Sequence, residues 1–210
     1  LYSALVPNAR GLERAIASGA GKLAIFTAAS ESFCGRNLNA SITESIERFE
    51  PVITAARERG LPLRGYVSCV VKCPYEGSVE PERVRETVAR LVEAAQGRIE
   101  IALGETLGVA TPDEVEAVLM AVSREVPLGE IDLHLHDTHG QALDGVIRAL
   151  DLGVRAFDAS CAGLGGCPYA PGAAGNLATE DLLDMLAREG WETGIDREAV
   201  MVAVSIARRI

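Results

Sequence analysis

The chain has 210 residues, a formal net charge of −10 at pH 7 and an isoelectric point near 4.9. Lysines and arginines do not cluster as they do in proteins that replace the counterions of a nucleic-acid backbone, so we expect no nucleic-acid partner. Hydrophobic residues make up 48% of the chain. Its apolar runs nevertheless fall short of the roughly 20 residues that a membrane span needs, so we expect no membrane insertion.

The length suits a single catalytic domain over residues 1–210. Aromatic residues are only 4% of the chain, which predicts an aliphatic core. The five cysteines are an odd number in a chain of this size, which favours reduced thiols over a disulfide framework. The opening, LYSALVPNAR, has neither an initiator methionine nor a basic signal region, so we expect a piece of a longer chain.

Short aliphatic runs alternate with longer amphipathic segments, as in proteins with a parallel α/β sheet. The predicted strands are residues 2–6, 22–27, 62–68, 99–103, 131–136 and 154–159. The predicted helices are residues 9–19, 42–59, 81–96, 112–126, 141–152, 179–189 and 196–209. Capping boxes are predicted at SITE (41–44) and TPDE (111–114). Six strand–helix units fit either an open doubly wound sheet or a (β/α)8 barrel lacking two units, and periodicity does not choose.

All three histidines of the chain lie in HLHDTH, at His134, His136 and His139. On a strand, His134 and His136 point to the same face and can converge on one metal ion. Asp137 fits either a third ligand or an acceptor that fixes a histidine tautomer. His139 fits a loop residue better than a ligand. The pair predicts a divalent-metal site, with Mg, Mn, Fe, Co and Zn all open on the residues alone.

A loop over residues 163–175 holds five glycines and two prolines among thirteen residues. Loops this long without secondary structure are uncommon unless they are functional. Cys167 lies in this loop, where its thiol could reach the metal site. Asn176 ends the loop and fits equally well a helix cap or an oxygen ligand.

Four stretches of the sequence resemble the hydroxymethylglutaryl-CoA lyase family, and together they extend over nearly the whole chain. They are YSALVPNARG, RGYVSCVVKCPYEG, HLHDTHGQAL and GLGGCPYAPGAAGNLATEDL. The resemblance implies a TIM (β/α)8 barrel with about six βα units present, the first two missing, and a C-terminal helix. It also implies a carbon–carbon lyase that uses Mg²⁺ or Mn²⁺ to cleave 3-hydroxy-3-methylglutaryl-CoA into acetyl-CoA and acetoacetate, in leucine degradation or ketone-body formation.

The resemblance also assigns roles to single residues. His134, His136 and Asn176 would be metal ligands, and Cys167 and His134 would be catalytic. The predicted substrate-binding residues are Asn37, Tyr66, Glu105 and Thr106. The resemblance further implies an acyl-CoA substrate, a homo-oligomer (a dimer), and a cytoplasmic location or, in a eukaryote, the mitochondrial matrix.

Two departures from the family pattern affect these expectations. The family carries an Arg-Asp pair at its first strand, and no such stretch occurs here, so we expect little activity from the 210 residues alone. The family pattern LGDT is LGET here, with Glu105 in place of Asp. Two other readings therefore stay open: a related metal-dependent acyl-CoA aldolase or synthase, and a degenerate metal-binding barrel fragment.

Overall fold

Six parallel strands, each followed along the chain by at least one helix, form the frame of the computed structural model, which describes residues 1–166 and 175–209. The strands are β1 (Ser3–Leu5), β2 (Lys22–Ala28), β3 (Leu63–Ser68), β4 (Lys72–Cys73), β5 (Gly77–Ser78), β6 (Glu100–Glu105), β7 (Ile131–Leu135) and β8 (Ala156–Asp158). The helices are α1 (Ala9–Ala17), α2 (Glu31–Leu38), α3 (Ile42–Arg48), α4 (Glu50–Arg59), α5 (Pro81–Ala94), α6 (Pro112–Val122), α7 (Ala142–Leu152), α8 (Thr179–Arg188) and α9 (Arg197–Ala207).

The large sheet has the strand order β1-β2-β3-β6-β7-β8, and every pair in it is parallel. The order follows the chain without the reversal that marks a doubly wound sheet. Arg64 on β3 also forms an ion pair with Asp158 on β8, so the sheet is curled. The expected barrel architecture with six βα units is confirmed, and the open doubly wound alternative is wrong.

Successive residues of each strand face opposite sides of the sheet, and the two sides differ in chemistry. On the convex side, apolar residues such as Val67, Leu103 and Leu133 are buried in one hydrophobic cluster with residues of the helices. On the concave side, Tyr66 and His134 line an open cavity. One face of each strand therefore stabilises the fold, and the other is available for chemistry.

Two features of the segment between β2 and β3 were not predicted. The segment expected as one helix over 42–59 is two helices, because Phe49 caps α3 and Pro51, which has no N–H to donate, lies in the first turn of α4. Helix α2 was missed because it is short, contains Gly35 and buries only Phe33 and Cys34. The predicted capping boxes are both present, at the starts of α3 and α6.

A small antiparallel hairpin, β4 with β5, was not predicted either. It follows β3, and Glu76 in its turn accepts a hydrogen bond from the Ser32 N–H of α2 at 2.6 Å. None of the helices in the described ranges is both long enough and apolar enough to cross a membrane.

Candidate metal and substrate site

The two histidines predicted as ligands lie side by side at the carboxyl end of β7. His134 is on the strand, and His136 follows its last residue. Their ring centroids are 5.3 Å apart, and both rings line the concave cavity, which has a volume of about 880 Å³. In α/β proteins with parallel strands, ligands bind at this end of the sheet.

Both imidazoles are oriented through Nδ1. Nδ1 of His136 lies 2.8 Å from the backbone carbonyl oxygen of Glu105, and because a carbonyl only accepts, this nitrogen carries the hydrogen. Nδ1 of His134 lies 3.2 Å from Oδ2 of Asp158. Burial lowers the pKa of His136, and the neighbouring His134 lowers it further, which favours the neutral ring that a metal ligand needs. Among residues 1–166 and 175–209, no group forms a hydrogen bond with Nε2 of either ring.

Asn176 lines the same cavity as the two histidines. It pairs with His136 in an isolated antiparallel bridge, and its Nδ2 donates to the carbonyl oxygen of Leu164 at 2.8 Å. Its Oδ1 is buried and has no hydrogen-bond partner among residues 1–166 and 175–209. Helix α8 begins after Ala178 without a side-chain cap, so Asn176 is not the cap that was one of its two predicted roles.

The donor set at this point of the cavity fits a divalent cation. Two imidazole rings line the same cavity as the Asn176 amide, whose oxygen has no partner within the described part of the chain. A buried oxygen without a partner is costly unless something binds it. No group of three or more His, Cys, Asp or Glu side chains suited to a metal occurs in the described ranges.

The predicted substrate-binding residues divide into two groups. Asn37 of α2, Tyr66 of β3 and Thr106, just after β6, line the cavity. Thr106 is held there because its Oγ1 accepts the N–H of Cys69 at 2.8 Å. The described part of the glycine-rich loop reaches the same cavity at Gly165 and Gly166. Cys167, the predicted catalytic thiol, lies outside the described residues.

Glu105, the fourth predicted substrate-binding residue, lies away from the cavity. Only 2% of it is exposed, because the side chain points to the convex side of the sheet. Its carboxylate accepts the backbone N–H groups of Leu107, Gly108 and Val109. Burial raises its pKa although these hydrogen bonds lower it. We therefore correct its assignment from substrate contact to anchor of the loop after β6.

The two other residues of the histidine motif are in the loop after β7. Oδ1 of Asp137 accepts the N–H of Ala142 at 2.9 Å, at the start of α7. Asp137 therefore orders a helix end, and neither of its two predicted roles at the metal matches this contact. His139 is exposed, and its N–H donates to the carbonyl oxygen of Gly108 at 3.0 Å.

The sequence did not single out the polar network beneath the histidines. Asp158 on β8 accepts hydrogen bonds from the Tyr66 hydroxyl and from Arg64, both at 2.9 Å. Arg64 Nη2 also lies 2.6 Å from Asp132 Oδ2, in an ion pair without hydrogen-bond alignment. The signal that could have found Asp158 is its position at the end of a predicted strand, next to the strand that carries His134.

The pKa values of the two carboxylates beside Arg64 are shifted in opposite directions. Burial raises the pKa of both, but hydrogen bonds from His134 and Tyr66 and the charge of Arg64 outweigh it at Asp158, whose pKa is lowered. At Asp132 burial outweighs the attraction of Arg64, and the pKa is raised. Asp158 is therefore the carboxylate held as an anion beside the metal-site histidine.

Comparison with known proteins agrees with this geometry. The sequence model of the HMGL-like family matches residues 1–206. A protein named 3-hydroxy-3-methylglutaryl-CoA lyase, cytoplasmic, from Rattus norvegicus is 51% identical over 202 residues, which are 96% of this chain and 58% of that protein. The chain thus spans less than two thirds of the length of this relative.

Solved structures give the same result. The HMG-CoA lyase from Brucella melitensis superposes with a TM-score of 0.94 at 48% identity, covering 99% of this chain and 73% of that one. An HMG-CoA lyase from Acinetobacter baumannii, solved with coenzyme A and 3-methylmalate, superposes with a TM-score of 0.88 at 33% identity over 95% of this chain and 64% of that one. The chain belongs to the HMGL-like family.

Proposed function

We propose that residues 1–210 belong to a single catalytic domain that binds a divalent cation and cleaves 3-hydroxy-3-methylglutaryl-CoA into acetyl-CoA and acetoacetate. The observation that carries this proposal is that His134, His136 and Asn176 line one cavity, and that Oδ1 of Asn176 is buried without a hydrogen-bond partner among the described residues. The membership of the family and the names of its relatives support the substrate class.

His134, His136 and Asn176 would hold the cation, for which we propose Mg²⁺ or Mn²⁺. When bound, the cation supplies a Lewis acid that lowers the pKa of the tertiary hydroxyl of the substrate. Asn37, Tyr66 and Thr106 line the same cavity and would orient the acyl group against these ligands. The aromatic rings of Phe26 and Phe33 line the cavity as well and would exclude water from the reacting bond.

The reaction is a retro-Claisen cleavage. A base removes the proton of the C3 hydroxyl, the C2–C3 bond breaks, and its electron pair moves to C2 to give the enolate of acetyl-CoA. C3 becomes the ketone of acetoacetate, and an acid then protonates C2. We propose His134 and Cys167 for these proton transfers on the family resemblance.

Turnover of 3-hydroxy-3-methylglutaryl-CoA by the intact purified protein tests the proposal. Acetoacetate should form with Mg²⁺ or Mn²⁺ and should not form after chelation. His136→Ala should lower kcat/KM by about 100-fold or more, because a Lewis acid contributes several kcal/mol to the barrier. The matched control is His139→Ala, since His139 is an exposed loop residue, and it should retain activity.

Three results would contradict the proposal. The first is an unchanged rate after complete chelation. The second is an equal loss in the His136→Ala and His139→Ala variants. The third is consumption of acetyl-CoA with a 2-oxo acid while 3-hydroxy-3-methylglutaryl-CoA is left intact, which would indicate a condensing synthase.

A further inference from the structure

We propose that Asp158, itself held by Arg64 and Tyr66, is a positioning residue that fixes the tautomer of His134 and so directs Nε2 of that ring to the cation. This inference rests on the cation site of the proposed function. It concerns a residue that lies behind the ligand and needs no contact with the substrate.

The first observation is the contact set of the Asp158 carboxylate. Oδ2 accepts the Tyr66 hydroxyl at 2.9 Å and lies 3.2 Å from Nδ1 of His134. Oδ1 accepts a hydrogen bond of 2.9 Å from Nη1 of Arg64. Both carboxylate oxygens thus have hydrogen-bond partners, and these bonds restrict rotation of the carboxylate away from the imidazole.

The second step is the chemistry of that contact. A carboxylate paired with a guanidinium is ionised and can only accept hydrogen bonds. Nδ1 of His134 must therefore carry the hydrogen, which leaves the lone pair of a neutral ring on Nε2. A carboxylate behind a ligating imidazole also increases the basicity of the ligating nitrogen.

The third observation is how the sheet brings these groups together. His134 and Asp158 are register neighbours on adjacent strands, so their side chains stand next to each other on the concave face. Tyr66 comes from β3, across β6, where the register positions facing Tyr66 and His134 are Ala102 and Gly104. These small residues leave the space in which the Tyr66 ring meets His134 edge-on at 6.1 Å.

The test compares two variants that each remove one carboxylate charge next to Arg64. In Asp158→Asn, the amide oxygen should turn to the Arg64 donors, leaving the NH2 group facing Nδ1 of His134. That contact selects the other tautomer, with the hydrogen on Nε2. Asp132→Asn is the matched control, because Asp132 also pairs with Arg64 but, within the described ranges, forms neither a hydrogen bond nor an ion pair with His134.

Mn²⁺ binding to the intact protein, measured by titration calorimetry without substrate, gives the first readout. Asp158→Asn should raise Kd by about 10- to 100-fold, and Asp132→Asn by less than about threefold. Histidine ¹⁵N spectra of the metal-free protein give the second readout. The wild type and Asp132→Asn should show His134 protonated on Nδ1, and Asp158→Asn should show it protonated on Nε2.

Tyr66→Phe keeps the inference testable if Asp158→Asn does not fold. It removes one hydrogen bond to Oδ2, so Mn²⁺ affinity should fall by about two- to tenfold. Unchanged affinity and tautomer in the variants that fold would overturn the inference. A wild-type protein that binds Mn²⁺ tightly but does not cleave the C2–C3 bond of 3-hydroxy-3-methylglutaryl-CoA would instead contradict the proposed function and leave the positioning role of Asp158 standing.

Discussion

The hydroxyl of Tyr66 on β3 donates a hydrogen bond of 2.9 Å to Asp158 on β8, although β6 and β7 lie between these strands. In a flat sheet, three strand spacings amount to roughly 14 Å, too far for these two side chains to meet. The contact therefore measures the curl of the sheet, which gathers residues from separate strands around one cavity.

Cation binding should stabilise the fold. A ligand at 100 times its Kd raises the free energy of unfolding by about 2.7 kcal/mol if it binds only the native state. Thermal unfolding with and without Mn²⁺ should therefore show a higher Tm with the ion and reversal by a chelator. In Asn176→Ala, which removes the unpaired oxygen, the Mn²⁺-dependent rise should shrink, while His139→Ala should keep it. An equal rise in all variants would place the ion elsewhere.

Removing Arg64 should destabilise the protein strongly. Its guanidinium forms ion pairs with Asp132, Asp158 and Glu100. Arg64→Leu therefore leaves Asp132 and Asp158 without this cation, while Glu100 keeps its pair with Lys22. Loss of one partner from a largely buried ion pair costs about 3 kcal/mol or more. Chemical denaturation measures this loss. The control is Arg197→Leu, because Arg197 pairs with Asp184 at the exposed surface, and its unfolding midpoint should stay near that of the wild type.

Gly108→Ala should be more destabilising than Gly60→Ala. Both glycines have positive φ, +67° and +64°, so both replacements strain the backbone by about 1 kcal/mol. A Cβ at position 108 would also lie 2.4 Å from the Thr138 nitrogen, whereas at position 60 it meets nothing within 4 Å. The difference in the free energy of unfolding, measured in urea, should therefore be about 1–3 kcal/mol. Equal losses of stability in the two variants would mean that the loop carrying Gly108 and the loop carrying Thr138 move apart easily.

The thiol of Cys161 should react with an alkylating reagent faster than the thiol of Cys34. Burial raises the pKa of the Cys34 thiol above its usual value of 9.0, so at pH 8 it should stay protonated and unlabelled by iodoacetamide. Cys161 is partly exposed and should be labelled in the native protein. The folded state favours the protonated Cys34 thiol. The stability that this preference contributes is therefore complete below about pH 9.0, and it is lost as the pH rises through the raised pKa of the folded state. Mass spectrometry of the labelled peptides checks this, and equally fast labelling of Cys34 would contradict it.

The local pattern of the sequence was enough to predict the six strands and the histidine pair. Alternation of apolar and polar residues is a local signal, and in β7 it directs Leu133 to the helices and His134 to the cavity. The barrel followed from the number of units and the family resemblance. Helix α2 escaped prediction because two buried residues in eight give too weak a period.

The groups behind the ligands could not be predicted, because they depend on contacts between residues far apart in the chain. Asp158 and Tyr66 are separated by 92 positions. Glu105 was assigned to the substrate by its motif, yet its place on the convex face follows from its position on β6. The structure shows that Asn176 is not the cap of α8, and its role as a metal ligand stays a prediction. The expected role of Cys167, the dimer and the cellular location stay predictions.

The hydrogen bond that orients His136 is accepted by the backbone carbonyl at position 105. This affects which substitutions are tolerated at that position. Every amino acid supplies the same carbonyl oxygen, so a substitution at this position leaves the acceptor for Nδ1 of His136 in place. His134 depends instead on a side chain that a single codon change can remove. A change from Glu to Asp at position 105 therefore keeps the carbonyl acceptor of His136, whereas replacing Asp158 with a residue that lacks a carboxylate removes the acceptor of His134.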